Sequence, residues 1–131
     1  MGNLSTRGFV GTGNEVLIGG VILRDYSFTN QSQTLFFRGI GPSLKAKGVA
    51  APLANPAITL FNAQGTAIAS NDDWQGSPEA AAIAATGIAP SDLKEAAILR
   101  TLNPGAYTLV LSGADGGTGV GIVEAYNLGN K

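Results

Sequence analysis

Residues 4–23 read LSTRGFVGTGNEVLIGGVIL. Two apolar runs stand out in this stretch, Gly8-Phe9-Val10 and Val16 through Leu23, joined by Gly11-Thr12-Gly13-Asn14 and followed by the first charged turn at Arg24-Asp25. β-Branched residues on either side of a glycine-rich joint predict strand, turn, strand. Such a segment presents unpaired backbone and an apolar face, so something has to cover it. Covered by the rest of the chain, it belongs to a self-contained module. Covered by a neighbouring copy, it makes the chain a building block.

Composition narrows the class. The 131 residues suit one domain with one core of ordinary size. A hydrophobic content of 44%, only 13% charged residues and 19 glycines make the chain too apolar for disorder and too punctuated for a helical bundle, which leaves an all-β class. A net charge of -1, with lysines and arginines scattered, supplies no basic field for nucleic acid. No apolar run reaches the roughly 18 residues of a membrane span. Met1 through Arg7 lack the basic and apolar regions of a signal peptide, so export is absent or its signal has been removed. Cysteine is absent, which excludes disulfides and thiolate metal sites, and the absence of histidine removes imidazole zinc sites and the Ser-His-Asp and Cys-His triads.

Further along, Arg24 through Phe28 lead into a polar turn, and Thr34 through Arg38 form an apolar strand closing on Gly39-Ile40-Gly41-Pro42-Ser43-Leu44. Pro42 excludes a central ladder position, and GIGPSLK lacks the GxxxxGK[ST] spacing that wraps amides around a phosphate. After a loop over 45–56, Ala57–Phe61 and Thr66–Ser70 alternate on either side of Asn62-Ala63-Gln64-Gly65 and predict a β-hairpin. The hairpin runs into Asn71-Asp72-Asp73-Trp74, which has two readings. One is an Asx-rich turn with Trp74 plugging the core. The other is a calcium site in which Asn71, Asp72 and Asp73 supply oxygen ligands and Trp74 covers one side. Ser77 through Gly87 then predict a short helix, with Ser77 as N-cap, Pro78 at the first position and Gly87 as terminator. Strands follow at Ala96–Thr101, Ala106–Ser112 and Val120–Tyr126, separated by Asn103-Pro104-Gly105 and the glycine-rich Gly113–Gly119 turn.

About eight short strands with one short helical insertion, no internal repeat and no linker predict a two-layer β-sandwich of jelly-roll-like connection. The whole of 1–131 forms a single domain, with 1–13 as a candidate strand-exchange arm.

The succession LSTRGFVGTG (4–13), VLIGG (16–20), FRGIGPSL (37–44), LANPAITLFNAQGTAIASNDDW (53–74), IAPSDLKEAAIL (88–99), LNPGAYTLVLSG (102–113) and TGVGIVEAYNL (118–128) resembles a domain of large secreted and surface bacterial proteins. The hairpin with NDDW, and PGAYTLVLSG, are also similar to the bacterial pre-peptidase C-terminal type of sandwich. That resemblance implies calcium-stabilised, collagen- or sugar-binding modules, with Asn71, Asp72 and Asp73 as metal ligands. The sequence is essentially one copy of such a domain, so the module itself is expected to be the product unless the sequence is an excised fragment.

These readings lead to a structural subunit of an extracellular or cell-surface filament, built from copies of itself by head-to-tail addition of the N-terminal strand. Leu4, Phe9, Val10, Val16 and Ile18 are the expected assembly residues. Asn3 and Asn30 stand in N-x-[ST] triplets and are candidate glycan acceptors. The alternative is a calcium-stabilised monomer that binds carbohydrate or matrix through Trp74, Tyr107 or Tyr126. Catalysis is not expected: the carboxylates are dispersed apart from 71–73, Arg38 and Arg100 suit strand-edge charges or partners for Glu95 and Glu124, and no cofactor is required.

Overall fold

A computed structural model describes residues 3–23 and 32–129 of the chain. Strands form where apolar residues recur at every second position: Pro56, Ile58 and Leu60 of one strand point inward, as do Gly119, Gly121, Val123 and Ala125 of another. Among the described residues there are eight, β1 (Asn3–Val10), β2 (Leu17–Leu23), β3 (Gln33–Ile40), β4 (Pro56–Phe61), β5 (Ala67–Asn71), β6 (Ala96–Leu102), β7 (Gly105–Gly113) and β8 (Gly119–Asn127). They make two antiparallel four-stranded sheets, sheet A in the order β1-β8-β3-β6 and sheet B in the order β2-β7-β4-β5. This is the strand order of an eight-stranded jelly roll, an order that turn spacing alone does not fix.

Among these strands the β4–β5 hairpin is the one connection that stays within a sheet. Its turn is built locally: the Asn62 carboxamide oxygen accepts the backbone N–H groups of Gln64 and Thr66, and Gly65 adopts φ 79°. The opening segment behaves differently. It forms the predicted strand, turn and strand, but the joint is a corner between sheets. Gly11 N–H donates to the Glu15 carbonyl at 2.7 Å and Glu15 N–H to the Thr12 carbonyl at 3.2 Å, turning the chain from β1 at the end of sheet A to β2 at the end of sheet B. β1 pairs with β8 from Asn3↔Tyr126 to Val10↔Gly119, and β2 pairs with β7 from Leu17↔Leu111 to Leu23↔Gly105.

The main core lies between the sheets, with Leu35, Phe37, Ile58, Leu60, Ile98, Leu109, Leu111 and Val123 at its centre. Side chains of this kind contribute about 1.5–3 kcal/mol each when fully buried. Two further caps cover the outer face of sheet A. In one, Trp74 and Ile83 pack on Phe36 and Ala97. In the other, a 3₁₀ segment over Pro42–Lys47 brings Leu44 against Ile40 and Val49. Part of the expected 45–56 loop is therefore helical. The predicted helix of the first cap is shorter than expected: α1 spans Ala80–Ala85, and Glu79 stands at its N-cap position. Ser77 instead uses its hydroxyl to accept the Glu79 N–H at 3.1 Å, a local turn that delays the helix start.

Candidate functional site

The five expected assembly residues all lie at the side of the sandwich made by β1 and β2. Large hydrophobic residues left exposed there are Leu4 (38%), Phe9 (63%), Ile18 (58%) and Ile22 (66%). Val16 is half-buried just before β2, whereas Val10 is fully buried and belongs to the core. Phe9 points outward from sheet A beside Val120, and Ile18 outward from sheet B beside Val110. The two strands meet through their inner faces. A Cβ on Gly8 would come within 3.0 Å of Leu17 Cδ1, so the absence of a side chain there lets β2 close on β1.

The opposite side is tied shut, and the NDDW motif does the tying. Asn71 Oδ1 accepts the N–H of Ala97 on the outer edge of β6 at 3.0 Å, while Asn71 Nδ2 donates to the Asp73 carbonyl. Trp74 N–H donates to the Glu95 carbonyl at 3.0 Å. Asn71 at the end of β5 and Trp74 after it thus satisfy the start of the free β6 edge, at Glu95 and Ala97, and blunt it there against further strand pairing. The Trp74 ring is 8% exposed and sits in the first cap, the core-plug arrangement. Asp72 and Asp73 are exposed and border an open groove of about 630 Å³ with Ser77, Glu79 and Arg100. Among the described residues, no group of three or more Asp, Glu, His or Cys side chains is placed to hold a metal ion.

Glu95 is the residue that sequence reasoning misassigned. It is fully buried and contacts neither Arg38 nor Arg100 through an ion pair. Its Oε2 accepts the N–H of Gly41 at 2.9 Å, the N–H of Ser43 at 3.0 Å and the hydroxyl of Ser43 at 2.7 Å, and its Oε1 accepts the N–H of Asp92 at 3.2 Å. The Gly-Ile-Gly-Pro-Ser loop does wrap amides around an anion, but the anion is the chain's own carboxylate. A Cβ on Gly41 would lie 2.1 Å from the Leu53 carbonyl oxygen, so only glycine fits where the loop passes that strand-like segment.

Arg38 meets the expectation of a Glu124 partner. The two residues are directly opposite across β3 and β8, and Arg38 Nε donates to Glu124 Oε1 at 2.7 Å, with a second bond from Nη2 to the same oxygen. Nη1 donates to the Ile88 carbonyl at 3.0 Å, and the guanidinium lies 5.4 Å from the Tyr126 ring centroid. Burial is the main influence raising the Tyr126 phenol above its usual value; Glu124 adds to it and Arg38 opposes it. Arg100 is an exposed edge charge on β6. Tyr107 packs against the main core and donates its hydroxyl hydrogen to the Asn103 carbonyl at 2.7 Å. Trp74, Tyr107 and Tyr126 are accordingly engaged in packing, and among the described residues the exposed aromatic ring is Phe9. Of the two glycan candidates, Asn3 begins β1 opposite Tyr126, and Asn30 lies outside the described residues.

No protein-family model matches this chain, and no curated protein matches it by sequence. Among solved structures, the pre-peptidase C-terminal domain of a collagenase from Bacillus anthracis superposes with a TM-score of 0.57 at 10% identity, covering 95% of this chain and 89% of that one. The likeness is one of fold. It agrees with the sandwich that the sequence resemblance implies. A protein of Bacillus endospore appendages, described as a family of disulfide-linked pili, gives a TM-score of 0.34 at 11% identity over 97% of this chain and 86% of that one, too distant to bear on either fold or function. No helix among the described residues is long and apolar enough to cross a membrane.

Proposed function

We propose that this chain is a non-catalytic structural subunit of an extracellular bacterial filament, assembled head-to-tail from copies of itself by addition of β1 to the sheet of the next copy. What supports this is how β1 is held. Its place beside β8 is an unbroken eight-residue register, yet from Leu4 to Val10 only Val10 has a fully buried side chain. Backbone hydrogen bonds therefore carry much of the docking, and such bonds form equally well with the β8 of an identical copy. The joint 11–14 is glycine-rich and, beyond Gly11, exposed, so it can open into an extended linker. The start of the β6 edge is capped by Asn71 and Trp74, whereas among the described residues the outer edge of β1 has no strand partner. Assembly in this reading requires no cofactor, and Asn3 and Asn30 remain the candidate glycan acceptors.

The test uses the absence of cysteine in the natural chain. Arg7 and Ile122 are direct partners across β1 and β8 on the outer face of sheet A. In a chain carrying Arg7→Cys and Ile122→Cys, exchange between copies makes the disulfide intermolecular. A ladder of covalent oligomers on a non-reducing gel is expected. A single oxidised monomer band would refute the filament reading.

The groove beside Asp72, Asp73 and Glu79 favours a second reading, a monomeric module that binds carbohydrate or matrix and is stabilised by calcium. Asn71 would contribute little to such a site, since both ends of its amide serve the backbone. This reading expects the melting temperature to rise on adding calcium to chelator-treated protein, with Asp72→Asn and Asp73→Asn abolishing the rise.

A further inference from the structure

The strands of sheet B contain no charged residue: β2 is LIGGVIL, β4 PAITLF, β5 AIASN and β7 GAYTLVLSG. Each strand of sheet A carries one, namely Arg7, Arg38, Arg100 and Glu124. The two outer faces are also treated differently. On sheet A the Trp74–Ile83 cap and the Leu44–Val49 cap cover the outward residues of β3, β6 and β8. On sheet B the outward rows, including Ile18 and Ile22 of β2, Thr108 and Val110 of β7, and Thr59 and Phe61 of β4, are half-buried or exposed and belong to none of the buried clusters. Registers Ile18↔Val110↔Thr59 and Gly20↔Thr108↔Phe61 align these side chains across the sheet.

We propose that the outer face of sheet B is an interface for the same face of a second copy, the two copies packing sheet against sheet about a two-fold axis. A neutral face meets itself without the like-charge repulsion that a charged face would suffer in an isologous contact. β-Branched and aromatic rows at a pleated spacing are the surfaces that interdigitate when sheets stack about 10 Å apart. Size fits a modest interface. Four strands about 4.8 Å apart and about seven residues long span roughly 19 by 23 Å, or about 440 Å² in flat projection. Two copies would then cover roughly 900 Å² in projection, and the relief of the side chains adds to this, which sets the contact near the ~1,000 Å² lower bound for a specific interface. The contact uses neither β1 nor its exchange, so it stands apart from the filament reading and would join filaments side by side.

Thr108→Cys places a single thiol near the middle of this face, and treating the full chain with a short flexible bismaleimide reads the contact. A discrete covalent dimer is expected at tens of micromolar protein. Adding Val110→Glu should reduce its yield at least tenfold, and Ser91→Cys, an exposed position in the polar turn before β6, should give none. Trp74 fluorescence melts verify that each variant is folded. The proposal is overturned by no Thr108→Cys dimer at 200 µM, by a yield that Val110→Glu leaves unchanged, or by equal cross-linking from Ser91→Cys. Strand exchange alone produces none of the expected pattern, because it brings β1 to β8 and leaves position 108 of each copy apart.

Discussion

Replacing Glu95 with glutamine keeps the shape of a fully buried side chain and removes its charge. Three donors converge on Oε2, the Gly41 and Ser43 N–H groups and the Ser43 hydroxyl, and a fourth, the Asp92 N–H, reaches Oε1. A hydrogen bond to a charged group contributes about 1.5–3 kcal/mol and a neutral one about 0.5–1.5, so three bonds at Oε2 lose about 3 kcal/mol together. The glutamine oxygen will take the Oε2 position, which sets the new NH2 against the Asp92 N–H and adds about 1 kcal/mol. A neutral amide costs less to bury than a carboxylate, which returns part of this loss, and the net destabilisation expected is about 2–3 kcal/mol. For a domain of this size that corresponds to a fall of roughly 10 °C in melting temperature. Trp74 is the only tryptophan and its backbone N–H is bonded to the Glu95 carbonyl, so its fluorescence in a guanidinium titration reports the region directly. A Glu95→Gln chain within about 0.5 kcal/mol of the natural one would refute the view that an internal anion organises the Gly41–Ser43 loop, a difference well below that expected for losing charge-assisted bonds.

Asn71→Ala should cost about 1–2 kcal/mol by leaving the Ala97 N–H on the β6 edge unpaired, and should speed amide exchange at Ala97 measured by NMR. Gly39→Ala introduces a Cβ 2.6 Å from Ile58 Cγ2 in the centre of the main core, and a loss of about 1–3 kcal/mol in urea unfolding is expected; a neutral result would show that the sheets can separate freely there. Tyr126 has a raised folded-state pKa, so the stability linked to it is full below pH about 10 and is lost as pH rises through the folded value. Absorbance titration should show its phenolate forming later than in an unfolded chain, and Tyr126→Phe should remove that part of the alkaline loss of stability.

The β4–β5 hairpin was legible because everything that makes it is local: two alternating arms, an Asn62 carboxamide that closes the turn on its own neighbours, and Gly65 at a positive φ. The Arg38–Glu124 pair was partly legible from charge alone. Glu95 was not, because a carboxylate in a list of residues looks ready for an arginine, and three of its four actual donors, the Gly41 and Ser43 N–H groups and the Ser43 hydroxyl, lie more than 50 residues away and carry no sequence signature. The NDDW motif had two chemical meanings. Only the position of the β6 edge beside Asn71 shows that its amide is spent on Ala97.

Composition and period thus determined the all-β class and the approximate number of strands, since the alternation of an apolar stripe depends on nothing beyond the strand itself. Tertiary structure decided which strands share a sheet. In a jelly roll successive strands mostly alternate between sheets, so the two apolar runs of residues 4–23 are neighbours in sequence and end in different sheets. The absence of charge from β2, β4, β5 and β7 can be read strand by strand in the sequence. That these four form one continuous uncharged face follows only from hydrogen bonding between segments up to some 90 residues apart, which local preferences do not encode.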